Sequence, residues 1–92
     1  MTYRLDFHKK ALEEMDRLTK SGEESEIRKV QELLAEISQH PRTGTGRPEE
    51  LKNDLEGCWS RHIDKKDRLV YQVDEANRKI LILSVLGHYD GV

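Results

Sequence analysis

The sequence holds a single cysteine, Cys58, which excludes an internal disulfide and offers no CxxC thiolate pair for zinc. That usage fits a reducing compartment, with Cys58 packing as a small apolar side chain. No apolar run approaches the roughly 18 residues a membrane-spanning helix needs. The N-terminal "MTYRLDFHKK" has neither an apolar h-region nor a small-residue cleavage site, so the cytoplasm is the expected location and no membrane partner is expected. Pro- or Gly-rich tracts and long blocks of like charge are also missing, which argues against disorder. Strong net charge is missing too. The formal value is −2, and residues 41–71 carry 7 Lys and Arg against 6 Asp and Glu, so composition alone announces no nucleic-acid partner.

What is present is 92 residues, 37% charged and 35% hydrophobic. A chain this short buries only roughly 60–65% of its unfolded surface, so residues 1–92 form one domain around one core. Tyr3, Leu5 and Phe7 alternate with Arg4, Asp6 and His8, the period of a strand with one buried face. From Lys9 the period changes. Ala11, Leu12, Met15 and Leu18 form one helical stripe ending at Ser21-Gly22, and a second helix from about Glu23 to Gln39 carries Ile27, Val30, Leu33, Leu34 and Ile37 before Pro41 stops it. Residues 41–49, with both prolines of the chain, read as a loop. Three strands come next: "CWSRHI", "RLVYQV" and "KILILSVL", separated by the hairpin-sized "DKKD" and "DEANR". The order is βααβββ, an α+β fold. After Lys79 the last run is apolar except for Ser84, the pattern of an interior strand.

Symmetric pairing about Lys65-Lys66 sets Ile63 opposite Arg68, Arg61 opposite Val70 and Trp59 opposite Gln72. Arg61 and Arg68 then project from one side of the sheet, and Leu69, Tyr71 and Val73 meet the helices. Two guanidiniums on an uncovered face suit bidentate phosphate recognition, and equally suit solvated or salt-bridged strand residues. Trp59 reads first as a core or interface residue. Glu49 and Glu50 read as helix-start carboxylates or surface charge. His88 and Tyr89 stand at the end of the apolar strand, where an imidazole titrating near neutrality can exchange a proton with a ligand. His8, His40 and His62 show no ligand spacing with one another or with Cys58, so no metal is expected.

"GTGRPEELKNDLEGCWSRHIDKKDRLVYQV", residues 44–73, succeeded by a strand ending in "HY", resembles the YoeB/Txe branch of the RelE superfamily, toxins of bacterial type II toxin–antitoxin systems. The resemblance implies the RelE-like fold: a small, mainly antiparallel sheet with two N-terminal helices packed on one face. It implies a ribosome-dependent mRNA endoribonuclease that cuts in the decoding site and requires neither metal nor cofactor. On this likeness Glu49 is the general base, Arg68 stabilises the phosphate, His88 is the general acid and Tyr89 orients the base or nucleotide. Lys52 and Arg61 are further RNA and phosphate contacts. Relatives commonly carry a second arginine where this chain has His62, which on the register above faces the helices. The implied partners are a YefM/Phd-like antitoxin, the 70S ribosome with its mRNA, operator DNA only through the antitoxin, and a second copy in a homodimer. A toxin homologue that binds antitoxin and represses transcription without cutting is the alternative. A DNA-binding regulator in its own right lacks a helix-turn-helix signal and a basic recognition helix.

Overall fold

The computed structural model describes residues 2–52 and 57–87. Strand β1 (Arg4–Phe7) leads directly into α1 (Lys9–Ser21), and His8 caps that helix by accepting the Lys10 N–H on Nδ1 at 3.2 Å. α1 ends at Gly22, whose φ of 74° lies in the left-handed region and whose N–H returns to the Thr19 carbonyl. α2 (Glu24–Gln39) then turns Val30, Leu33, Leu34 and Ile37 inward and ends just before Pro41.

β2 (Glu49–Glu50), β3 (Cys58–His62), β4 (Arg68–Asp74) and β5 (Lys79–Gly87) join β1 in a mixed sheet of order β1-β5-β4-β3-β2. β5 is interior, parallel to β1 and antiparallel to β4. The α+β architecture is the one the sequence implies, with β2 as an addition. Glu49 and Glu50 neither lie in a loop nor start a helix; they pair antiparallel with Ser60 and Trp59. The helices cover one face of the sheet, where Ile37, Leu69, Tyr71, Ile80, Ile82 and Val85 are completely or almost completely buried. Each such aliphatic side chain stabilises the fold by roughly 1.5–3 kcal/mol. A smaller apolar group on the opposite face gathers Leu51, Cys58, Val70 and Leu83. Burial there pushes the Cys58 thiol up, which keeps it protonated and inert. No helix among the described residues is long and apolar enough to cross a membrane.

The β3–β4 register differs from symmetric pairing about Lys65-Lys66 by one residue. Arg61 stands opposite Leu69, His62 opposite Arg68 and Trp59 opposite Tyr71. The cause is the turn. Asp64 Oδ1 accepts the Lys66 and Asp67 N–H groups at 2.8 and 2.7 Å, and Ile63 N–H reaches the Asp67 carbonyl, so the loop has three residues rather than two. A one-residue slip moves every β3 side chain to the other face. Arg61 therefore turns toward the helices with Leu69 and Tyr71, and His62 turns away from them with Arg68.

Candidate active site

Arg61 is wholly buried, so it does not serve the open face as a phosphate contact. Burying a guanidinium is tolerable only when its donors are matched, and here all five are. Nε donates to the Tyr71 hydroxyl at 3.1 Å, Nη1 to Glu36 Oε1 and to the Thr45 carbonyl, and Nη2 to the His40 and Thr43 carbonyls. Tyr71 in turn donates to the Pro41 carbonyl at 2.6 Å, and burial raises its phenol above the ordinary value. The Glu36 carboxyl is held below the usual carboxylate range, first by the Thr45 N–H and then by the Thr45 hydroxyl and Arg61.

This hub shapes the loop that leads to Glu49. Gly44 has φ 126°, and a Cβ there would lie 2.1 Å from Glu36 Oε1. Gly46 has φ 85°, and a Cβ there would lie 2.9 Å from the His62 carbonyl. The G-x-G spacing thus lets the loop press against both the Arg61 hub and β3. The Gly46 carbonyl accepts the His62 N–H at 2.7 Å, and directly after Pro48 the chain is already paired as β2.

On the open face, Glu49 stands opposite Ser60, two residues along β3 from His62, and His62 stands opposite Arg68. Opposed residues share a face, so all four side chains belong to one surface. Arg68 Nη1 lies 3.9 Å from Glu49 Oε2, with the carboxylate side chain 63% exposed and the arginine 27%. A carboxylate and a guanidinium this close, both reachable by solvent, can address a hydroxyl and a neighbouring phosphate together. Lys52 is exposed just beyond Leu51, which anchors the end of β2 in the apolar group beneath. His88 and Tyr89 lie outside the described residues. The residue before them, Gly87, is paired with Arg68.

Sequence reasoning missed two members of this surface. His62 was hidden by the register, and the signal that could have found it is Asp64, whose position favours a three-residue Asx-type turn. Ser60 is buried, with its hydroxyl unpaired among the described residues, beneath Glu49 in the β2–β3 ladder. Nothing in its sequence neighbourhood marks it. Among the described residues the group with metal-ligand geometry is Glu26, Asp64 and Asp67, with ligand oxygens within 4.8 Å of one another. It includes neither Glu49 nor Arg68. Burial, then the Asp64 hydrogen bond and the surrounding carboxylates, push Glu26 up to about 7.

A family model described as the YoeB-like toxin of bacterial type II toxin-antitoxin systems matches residues 7–89. The chain belongs to this family. Its relatives include Toxin YoeB of Escherichia coli K12, 40% identical over 63 residues, which span 68% of this chain and 73% of that protein. Toxin YoeB of Synechocystis is 41% identical over 63 residues, covering 68% of this chain and 71% of that one. Among solved structures, the YoeB dimer from Staphylococcus aureus superposes with TM-score 0.81 at 33% identity, covering 97% of this chain and 100% of that one. The YoeB/ParE toxin from Agrobacterium tumefaciens gives TM-score 0.85 at 26% identity, covering 94% and 99%. This YoeB-family toxin accordingly carries the motif residues Glu49 and Arg68 on the face its helices leave open.

Proposed function

We propose that this toxin is a ribosome-dependent mRNA endoribonuclease whose reaction runs on the open face of the sheet. The observation that carries the proposal is the 3.9 Å approach of Glu49 to Arg68 on a solvent-accessible surface, in a chain of the YoeB family. Glu49 takes the proton of a ribose 2′-hydroxyl, and the resulting oxygen attacks the adjacent phosphorus. Arg68 offsets the charge that builds on the phosphoryl oxygens. His88 returns a proton to the departing 5′-oxygen, leaving a 2′,3′-cyclic phosphate on one fragment and a 5′-hydroxyl on the other. Tyr89 orients the base or nucleotide, and Lys52 contacts the RNA backbone. Atoms and charge balance without a redox partner or a metal.

The partners belong to the same reading. The Staphylococcus aureus relative is known as a dimer and in a heterotetrameric complex with the YefM antitoxin, and this chain covers the matched chain of each structure completely. We assign a YefM/Phd-like antitoxin, the ribosome with bound mRNA, and a second copy of the chain as partners, in the bacterial cytoplasm. Operator DNA is reached through the antitoxin.

The test is incubation of purified protein with mRNA, with and without programmed ribosomes, and then analysis of the fragment ends. Cleavage only with ribosomes, giving a cyclic phosphate and a free 5′-hydroxyl, is the expected result. Antitoxin binding with no cleavage under any condition would assign the non-cutting, co-repressor reading instead.

A further inference from the structure

Besides Arg61, the buried acidic or basic side chain among the described residues is Glu14, on the inner face of α1. Its Oε1 accepts the Ser84 hydroxyl at 2.9 Å, the Val85 N–H at 2.9 Å and the Leu86 N–H at 3.4 Å, and Oε2 shares the Ser84 hydroxyl at 3.1 Å. A helix carboxylate thus takes donors from three consecutive residues of an interior strand, two of them backbone N–H groups.

The pairing explains why those donors need it. β1 makes its last ladder contact opposite Ile82, so beyond that point β5 has no strand on its β1 side among the described residues. On the other side the register against β4 slips twice: Tyr71 stands opposite Ile82, Val70 opposite Ser84 and Arg68 opposite Gly87. β5 therefore carries two extra residues between Ile82 and Gly87. Such irregularities bend a strand and re-aim the residues beyond them. Here Glu14 stands in for the missing strand. Gly87 closes the arrangement, because a Cβ there would lie 2.9 Å from Ser84 Oγ and 3.2 Å from the Arg68 carbonyl.

We infer that Glu14 is a positioning residue for the reaction: by holding the irregular segment Ser84–Leu86 it sets how the end of β5, at Gly87, pairs beside Arg68. This rests on the proposed ribonuclease reading. The carboxylate itself stays under α1 and touches no substrate.

The test compares Glu14→Leu, Glu14→Gln and His88→Ala with the parent toxin in single-turnover cleavage at saturating programmed ribosomes. Ribosome affinity is measured separately, and Ile37→Val serves as a core control. Glu14→Leu is expected to slow cleavage by about 10- to 100-fold, the scale of an ångström-sized misplacement. Affinity should stay within about twofold, since no RNA contact is removed. Glu14→Gln keeps a carbonyl oxygen for the Val85 N–H and should recover most of the rate, whereas Ile37→Val should keep the parent rate. A folded Glu14→Leu with the parent rate overturns the inference. If that variant does not fold, Ser84→Ala carries the test: slower cleavage at unchanged affinity supports the positioning role, and the parent rate overturns it. His88→Ala separates the two levels. If it is silent while the Glu14 variants keep the parent rate, only the Glu14 inference fails. If it cleaves normally, the reading of the site fails and the inference falls with it.

Discussion

At the scale of single residues, two β3 neighbours exchange the roles their sequence suggests. Arg61 reads as a phosphate contact and is a fully buried hub; His62 reads as a core-facing residue and shares the open face with Arg68. Removing one partner of a buried, hydrogen-bonded charge costs about 3–5 kcal/mol. Arg61→Ala should therefore lose that much in urea unfolding. Arg61→Lys should recover little of it, because an ammonium has three donors where five acceptors are arranged around a planar fork. At His62 the expectation is opposite in kind. His62→Arg adds a fixed cation to the open face without touching the core. It should tighten binding to single-stranded RNA and steepen the plot of log K against log salt by about 0.7, readable by titration at several ionic strengths.

At the scale of elements, the helices, β1, β4 and β5 are legible because each carries an apolar period longer than its neighbours can disturb. The stripe Val30, Leu33, Leu34 and Ile37 permits only a helix, and Leu69 and Tyr71 point at that helix as their alternation requires. β2 is not legible, since its two residues are both glutamates and exist as a strand only through pairing with β3. The register failed for a local reason: the Asp64 side chain builds a three-residue turn where spacing alone suggests two. The same turn meets the first turn of α2 through Glu26, whose folded carboxyl holds its proton up to about pH 7 against an ordinary value of 4.5. Between those values the folded state binds more protons than the unfolded chain, so this contact favours folding at the acid end and its stabilisation is lost as pH rises through the window. Glu36 works in the other direction. Its lowered carboxyl stabilises the fold above the ordinary carboxylate value and loses that effect on acidification. Glu26→Gln should flatten the dependence of melting temperature on pH between about 5 and 7, leaving the acid limb of Glu36 in place. In the G-x-G loop, Gly44→Ala forces a Cβ against Glu36 at a φ that L-residues avoid. It should cost about 1–3 kcal/mol in chemical unfolding, provided Glu36 cannot swing clear.

At the scale of the whole molecule, the sheet divides the chain's chemistry. One face and both helices make the core; the other holds a small apolar group and, on the same face, Glu49, His62 and Arg68. The motif residues are scattered from 44 to 73 in sequence, and only the order β5-β4-β3-β2 sets them side by side. Family likeness could name Glu49 and Arg68 but could not show which arginine of β3–β4 is sacrificed to hold the loop. That depends on one residue of register. The near-neutral net charge has its own consequence on the proposed reading, where the open face would have to supply the local positive potential for RNA. The most direct measurement is the single-turnover rate of mRNA cleavage on programmed ribosomes by Glu49→Ala, taken together with its melting temperature. Loss of a general base predicts a rate lower by about 10²–10⁴-fold with the melting temperature nearly unchanged, since an exposed strand-edge carboxylate carries little of the fold. Cleavage at the parent rate by this variant would contradict the account.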